Sequence, residues 1–160
     1  MEARRIFNSS TIIMKIMVIN GPNLNMLGKR EPEIYGNLCL AEINELISNE
    51  FHESSMEIEF FQSNEEGVII NRILSTQGYF DAIVINPAAY SHYSIAILDA
   101  IKAINIPTVE VHLSNIFSRE EYRKKSITGE GCIGVISGFG YYGYIMAINS
   151  LINITKQNKY

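Results

Sequence analysis

Short apolar runs of strand length alternate along the chain with longer stretches whose apolar residues recur every three or four positions. The strand-like runs are residues 15–20, 57–62, 82–86, 107–111 and 132–137. Runs this short, rich in Ile and Val and closed by polar residues, read as buried strands. Between them, residues 38–51 place Leu40, Ile43, Leu46 and Ile47 on one helical stripe. The stretch after Ser63 does the same with Ile69, Ile70, Ile73 and Leu74, and Gly78 fits just past its end. Residues 94–104 carry Ile95, Leu98, Ile101 and Ile104, which are expected to face inward, and residues 144–154 form a closing helix. Ser63-Asn64-Glu65-Glu66 and Ser118-Arg119-Glu120-Glu121 have capping-box spacing, so helices are predicted to open there, the second running to about Lys125. Residues 24–36 read as a polar loop whose charged part, Gly28 to Gly36, is flanked by glycines.

Five strands with intervening helices and no internal repeat predict one α/β domain. Right-handed crossovers make it a three-layer sandwich around a five-stranded parallel sheet, with flavodoxin-like strand order the preferred arrangement. In such a sheet all carboxyl ends face one edge, and that edge carries the ligand crevice. Here the edge is loaded: Asn20-Gly21-Pro22-Asn23 follows the first run, Asn86-Pro87-Ala88-Ala89-Tyr90-Ser91-His92 the third, and His112-Leu113-Ser114 the fourth. One site assembled from distant segments is the expectation.

Composition narrows the class. A chain of 160 residues suits a single domain with its own core. The net charge of −4 and the lack of a Lys/Arg cluster interleaved with aromatics argue against nucleic acid as a partner. The two cysteines, Cys39 and Cys132, lie in no metal-binding spacing and suit a reduced, cytoplasmic chain. Residues 1–13 lack the apolar core and cleavage site of a secretory signal and read as a dispensable extension before residues 14–160. No apolar run approaches the ~18 residues of a membrane span. Neither GxGxxG nor GxxxxGK[ST] occurs, so a nucleotide cradle is not expected.

Each polar residue at the edge has a plain reading beside a chemical one. The Asn-Gly pair at Asn20 is a common turn, but Asn23 is aimed at the same crevice. Arg30 and Tyr35 are either surface residues of a solvated connection or part of a lid. His92 and His112 are either hydrogen-bonded structural residues or catalysts; His52 lies away from this edge, so a third metal ligand is missing. Arg119 and Arg123, four apart on the predicted short helix, either pair with Glu120 and Glu121 or clamp an anion or polyol. Asp99, among Ile95, Leu98 and Ile101, needs a partner or an outer face that meets another subunit. A flavin- or phosphate-binding module of this fold, or a non-catalytic scaffold, is the competing class; the first loop lacks the Ser/Thr- or Gly-rich cradle the former needs.

These motifs resemble a known signature. Asn20-Gly21-Pro22-Asn23-Leu24 with Gly28-Lys29-Arg30-Glu31-Pro32 and Tyr35-Gly36, then Asn86 to His92 with Asp99-Ala100, then Glu110-Val111-His112-Leu113-Ser114-Asn115 with Arg119-Glu120-Glu121-Tyr122-Arg123, are similar to the type II 3-dehydroquinate dehydratases. The resemblance runs over about residues 14–154. It implies a flavodoxin-like fold, a homododecamer of trimers, and no cofactor, metal or Schiff base. The implied reaction takes water from 3-dehydroquinate to give 3-dehydroshikimate, in the shikimate pathway toward chorismate and aromatic amino acids or in quinate breakdown. By resemblance, Tyr35 is the base at C2, Arg30 supports it, Asn23 positions a water that stabilises the enolate, and His112 is the acid. Asn86, His92, Leu113, Ser114 and Arg123 would bind substrate, and Asp99 would serve a neighbouring subunit's site. A free tyrosine ionises near pH ~10, so a base near neutrality needs ~4 kcal/mol in favour of phenolate. One guanidinium at ~4 Å supplies about that at an effective dielectric of ~20, while burial opposes it, so Arg119 is expected to assist Arg30. One departure is visible: Ala88 stands where the family usually has Gly, which matters little unless that position requires φ > 0.

Overall fold

The computed structural model describes residues 14–29 and 31–157. The extension over residues 1–13 and the position of Arg30 therefore lie outside the described residues.

Five strands, β1 (Met14–Asn20), β2 (Met56–Gln62), β3 (Ala82–Asn86), β4 (Thr108–His112) and β5 (Gly134–Ser137), pair in parallel in the order β2-β1-β3-β4-β5. This is the flavodoxin-like order. Every residue of β3 and β4 is buried. Helices cover both faces of such a sheet, which is why β3 reads as a continuous apolar run rather than an alternating one. Helices α2 (Leu40–Glu50) and α5 (Tyr142–Gln157) pack Ile43, Ile47, Tyr144, Ile148 and Leu151 on one face, against Val18, Val84 and Val111. Helices α3 (Glu66–Ser75) and α4 (Ile95–Ala103) pack Ile69, Ile73, Ile97 and Ile101 on the other, against Met17, Ile19, Ile83 and Ile85.

Four local expectations change. Helix α3 opens at Glu66 rather than Ser63, because the Ser63 Oγ accepts from the Glu65 N–H at 3.0 Å and Glu65, extended at φ −96 and ψ 121, takes the N-cap place. Ile95 is 62% exposed, and Ile97 takes the inward place beside Ile101 and Ile104. Two residues are about 200° around a helix, so Ile95 and Ile97 cannot share a face. The second capping box forms no α-helix: Asn115 caps an earlier 3₁₀ turn, Ile116–Ser118, and a separate one spans Glu121–Arg123. Ser118 ends the first turn with its Oγ donated back to the Asn115 carbonyl at 2.9 Å, so it has no helix to cap. Arg119 and Arg123 thus share no helix face. Finally, the charged loop contains one helical turn, α1 (Pro32–Tyr35), with Pro32 at its first position and Gly36 (φ 83) closing it.

Two backbone positions set the upper edge. A Cβ on Gly21 would lie 2.5 Å from the Pro87 carbonyl oxygen, so the loops after β1 and β3 press together only with glycine there. Ala88 has φ 52, and its N–H is held by Asn86 Oδ1 at 3.1 Å. The condition under which alanine is costly here is therefore met: its Cβ crowds the backbone in the left-handed region. Ala88→Gly should stabilise the fold by about 0.5–1 kcal/mol, the strain relieved less the entropy glycine loses on folding. Thermal unfolding should show this as a midpoint higher by ~1–4 °C.

Candidate active site

The carboxyl ends of β1, β3 and β4 open into one cleft lined by Asn23, Tyr35, Asn86, His92, His112, Leu113, Ser114, Arg119 and Arg123. Its floor is a buried amide pair. Asn20 and Asn86 stand opposite each other in register, 1% and 3% exposed. Tyr144, buried at the start of α5, joins them: its hydroxyl donates to Asn20 Oδ1 at 2.6 Å and accepts from Asn86 Nδ2 at 3.0 Å. Burial drives the Tyr144 phenol well above the ordinary tyrosine range, so it stays a neutral hydrogen-bonding group.

One wall is built on Glu110 and His112, both on the same face of β4. The Glu110 carboxylate is fully buried. It accepts from His112 Nε2 at 2.6 Å and from the hydroxyls of Ser126 and Thr128. An acceptor-only carboxylate fixes the proton on Nε2, so Nδ1 is the nitrogen turned away from it. His92 stacks on His112, with ring centroids 6.3 Å apart. Its Nδ1 donates to the Lys125 carbonyl at 2.8 Å, which leaves Nε2 as an acceptor. Burial, and then the nearby His112 and Arg123, hold His92 below the usual histidine pKa, against the opposing pull of the Lys125 carbonyl.

Tyr35 forms the opposite side. Arg119 Nη1 donates to its hydroxyl at 2.6 Å, although 84 residues separate the two. Glu120 brings the arginines together: its carboxylate lies 3.6 Å from Arg119 Nε and 3.1 Å from Arg123 Nε. The Glu120 carboxyl is held below the ordinary carboxylate range, by its own backbone N–H and then by the two guanidiniums. The Arg123 Nε–H is buried against the Glu120 carboxylate, and the residue lines the cleft. Asn23 sits in the left-handed region, φ 65. Leu113 and Ser114 present backbone at the end of β4, their carbonyls tied to Gly140 N–H and Ser137 Oγ.

Asp99 is not part of this cleft. It is exposed on α4 and makes no hydrogen bond or ion pair among the described residues. Glu110 and Tyr144 were given no role from the sequence. A Glu two residues before a strand His shares its face, so Glu110 had a readable signal; Tyr144, at the start of a distant helix, had none. Among the described residues no group of three or more His, Cys, Asp or Glu could hold a metal ion, and no helix is long and apolar enough to cross a membrane.

A parallel sheet that gathers a tyrosine, two histidines and two arginines at its carboxyl edge has the layout of a small α/β enzyme. Residues 14–152 match the family described as dehydroquinase class II, and the chain belongs to that family; it is a hydro-lyase. It is 68% identical over 138 residues to a 3-dehydroquinate dehydratase of Clostridium botulinum (strain Loch Maree / Type A3), covering 86% of this chain and 94% of that one. It is 58% identical over 141 residues to the 3-dehydroquinate dehydratase of Clostridium acetobutylicum, covering 88% and 98%. Among solved structures, the type II dehydroquinase of Butyrivibrio crossotus superposes with a TM-score of 0.85 at 49% identity, covering 87% of this chain and 97% of that one.

The lowered His92 pKa has a measurable sign. The unfolded chain takes up a proton at this histidine near pH ~6.5, and the folded chain resists it. His92 therefore contributes stability above that pH that is lost as pH falls toward its folded pKa. A ring titration followed by NMR should give His92 a midpoint below ~6.5, and His92→Gln should flatten the acid-side fall in stability.

Proposed function

We propose that the chain dehydrates 3-dehydroquinate to 3-dehydroshikimate, a step of the shikimate pathway, with Tyr35 as base and His112 as acid. The observation that carries this division is the Tyr35–Arg119 hydrogen bond facing a histidine already oriented by Glu110. The Tyr35 phenolate takes the proton on C2, next to the ketone, and the electron pair moves onto the ketone oxygen as an enolate. A water held by Asn23 supports that enolate, and the Arg119 guanidinium pairs with the phenolate before transfer. His112 then delivers a proton from Nδ1, the nitrogen turned away from Glu110, to the C1 hydroxyl as the enolate re-forms the ketone and the C1–O bond breaks. Its Nε2 proton stays hydrogen-bonded to the Glu110 carboxylate. The substrate loses one H and one OH as water, and the proton on Tyr35 returns to His112 through solvent. Arg30, next in the same loop, is assigned to support Tyr35.

Binding follows from the remaining groups. The substrate carboxylate suits the backbone amides of Leu113 and Ser114, and its hydroxyls suit the Arg123 guanidinium, His92 Nε2 and Asn86. The reaction needs no cofactor, metal or imine. The free thiols of Cys39 and Cys132 accord with a cytoplasmic setting.

The assembly completes the proposal. Asp99 is exposed on α4 beside Ile95 and Tyr93, which are 62% and 60% exposed. A carboxylate set in an exposed apolar face suits contact with a second copy, so Asp99 would serve a neighbour's cleft in a homododecamer of trimers. Light scattering should give about twelve times the 18.1 kDa chain mass. A fully active monomer at low concentration would contradict it.

Tyr35→Phe removes only the hydroxyl. It should fold, assemble and bind a flattened enolate mimic while turnover falls at least ~10²-fold. Arg119→Gln should slow turnover about tenfold or more, because the Tyr35 oxygen loses the charged hydrogen bond that places it. His112→Ala should also turn over slowly but still exchange the C2 proton with solvent. Near wild-type turnover in Tyr35→Phe would end this mechanism.

A further inference from the structure

The loop after β2 reaches the active cleft without lining it. Asn64, two residues past the end of β2, accepts two hydrogen bonds on its Oδ1: from the Asn23 N–H at 2.9 Å and from Gln62 Nε2 at 3.0 Å. A backbone N–H can only donate, so the oxygen of the Asn64 amide is the atom facing Asn23. Gln62 Nε2 also approaches the Gly21 carbonyl at 3.2 Å. From the third loop, the Tyr90 hydroxyl donates to the Asn64 backbone carbonyl at 2.7 Å. The loops after β1, β2 and β3 therefore meet on one residue.

What Asn64 holds is a conformation that does not hold itself. Asn23 stands at φ 65, ψ 0, and its side chain makes no capping bond to the 3₁₀ turn it precedes, Leu24–Met26. Asparagine enters the left-handed region more readily than other residues with a side chain, but with no local side-chain bond here the external hydrogen bond selects it. The Asn64 oxygen fixes the Asn23 peptide, and with it the direction in which the Asn23 side chain leaves the backbone.

We propose that Asn64 is a positioning residue for the dehydration: it holds Asn23 in the left-handed conformation that aims the Asn23 amide at the developing enolate. This rests on the reading of Asn23 as the residue that holds the enolate-stabilising water. Asn64 itself does not touch substrate. Its effect is on the transition state rather than on substrate affinity, since the enolate charge exists only there.

The test is steady-state kinetics with 3-dehydroquinate on the full-length chain, using Asn64→Leu, Asn64→Asp, Asn23→Ala and the Asn23→Ala/Asn64→Leu pair. Asn64→Leu should lower kcat at least about tenfold with KM within about threefold. Asn64→Asp keeps an acceptor oxygen toward the Asn23 N–H and should hold kcat within about threefold of wild type. In the Asn23→Ala background, Asn64→Leu should change kcat by less than about twofold, because it acts through a side chain already gone. Hydrogen exchange read by mass spectrometry should show a protected Asn23 amide in the wild-type protein, whatever the variants do. Wild-type turnover in Asn64→Leu, failure of Asn64→Asp to rescue, additive losses in the pair, or a rapidly exchanging Asn23 amide would each overturn the inference. An active wild-type enzyme with an unimpaired Asn23→Ala would remove the role of Asn23 and this inference together, leaving the dehydratase in place. A wild-type chain inert toward 3-dehydroquinate would instead remove the proposed function.

Discussion

Polar side chains buried at the ends of the central strands govern the molecule. Asn20, Asn86, Glu110 and His112 are at most 5% exposed. A buried polar group left unpaired costs about 1–3 kcal/mol, and a buried carboxylate more. Each group is therefore satisfied by a segment brought in from elsewhere: Tyr144 from α5, and Ser126 and Thr128 from the connection that leads to β5. Satisfying them fixes where the neighbouring loops run. The Asn86 oxygen takes the Ala88 N–H, and Ala88 accepts a left-handed backbone in consequence.

The two sides of the cleft differ in how they are held. His112 is set by a buried carboxylate that itself receives two hydroxyls, so its ring and its proton are oriented before any ligand arrives. Tyr35 ends a helix of a single turn, entered through Glu31 at φ 42. A helix that short has no stability of its own. The placement of Tyr35 thus depends on its long-range bond to Arg119. A rigid His112 therefore faces a Tyr35 on a weakly stabilised segment, so one side of the cleft is pre-organised and the other is not.

Charge within the cleft opposes the charge of the whole. The chain carries −4, yet Arg119 and Arg123 project beside the cleft with Glu120 between them. Glu120 lies within ion-pair distance of both guanidiniums but can neutralise only one of the two cations. The cleft therefore favours an anion locally although the surface as a whole does not.

The amino-acid sequence by itself determined the five strands, the strand ends that carry chemistry and the face of most helices. These are local matters: apolar period, run length and the residue that follows each run. It also held the pairing of Glu110 with His112, because residues two apart on a strand share a face. It did not hold the failure of the helix after Ser118, since Asn115 captured the cap first and a string of good helix signals cannot show which cap wins. Nor did it hold the left-handed Ala88, which follows from an Asn86 oxygen fixed by its place in the sheet. The Arg119–Tyr35 bond, 84 residues apart, was expected only through the family resemblance and the charge a phenolate needs, and the Tyr144–Asn20 bond, 124 residues apart, was decided by tertiary structure alone. Partners at such distances are chosen by which helices pack on which face of the sheet and by the cost of leaving a buried group unpaired, and neither quantity is written in any local stretch of the chain.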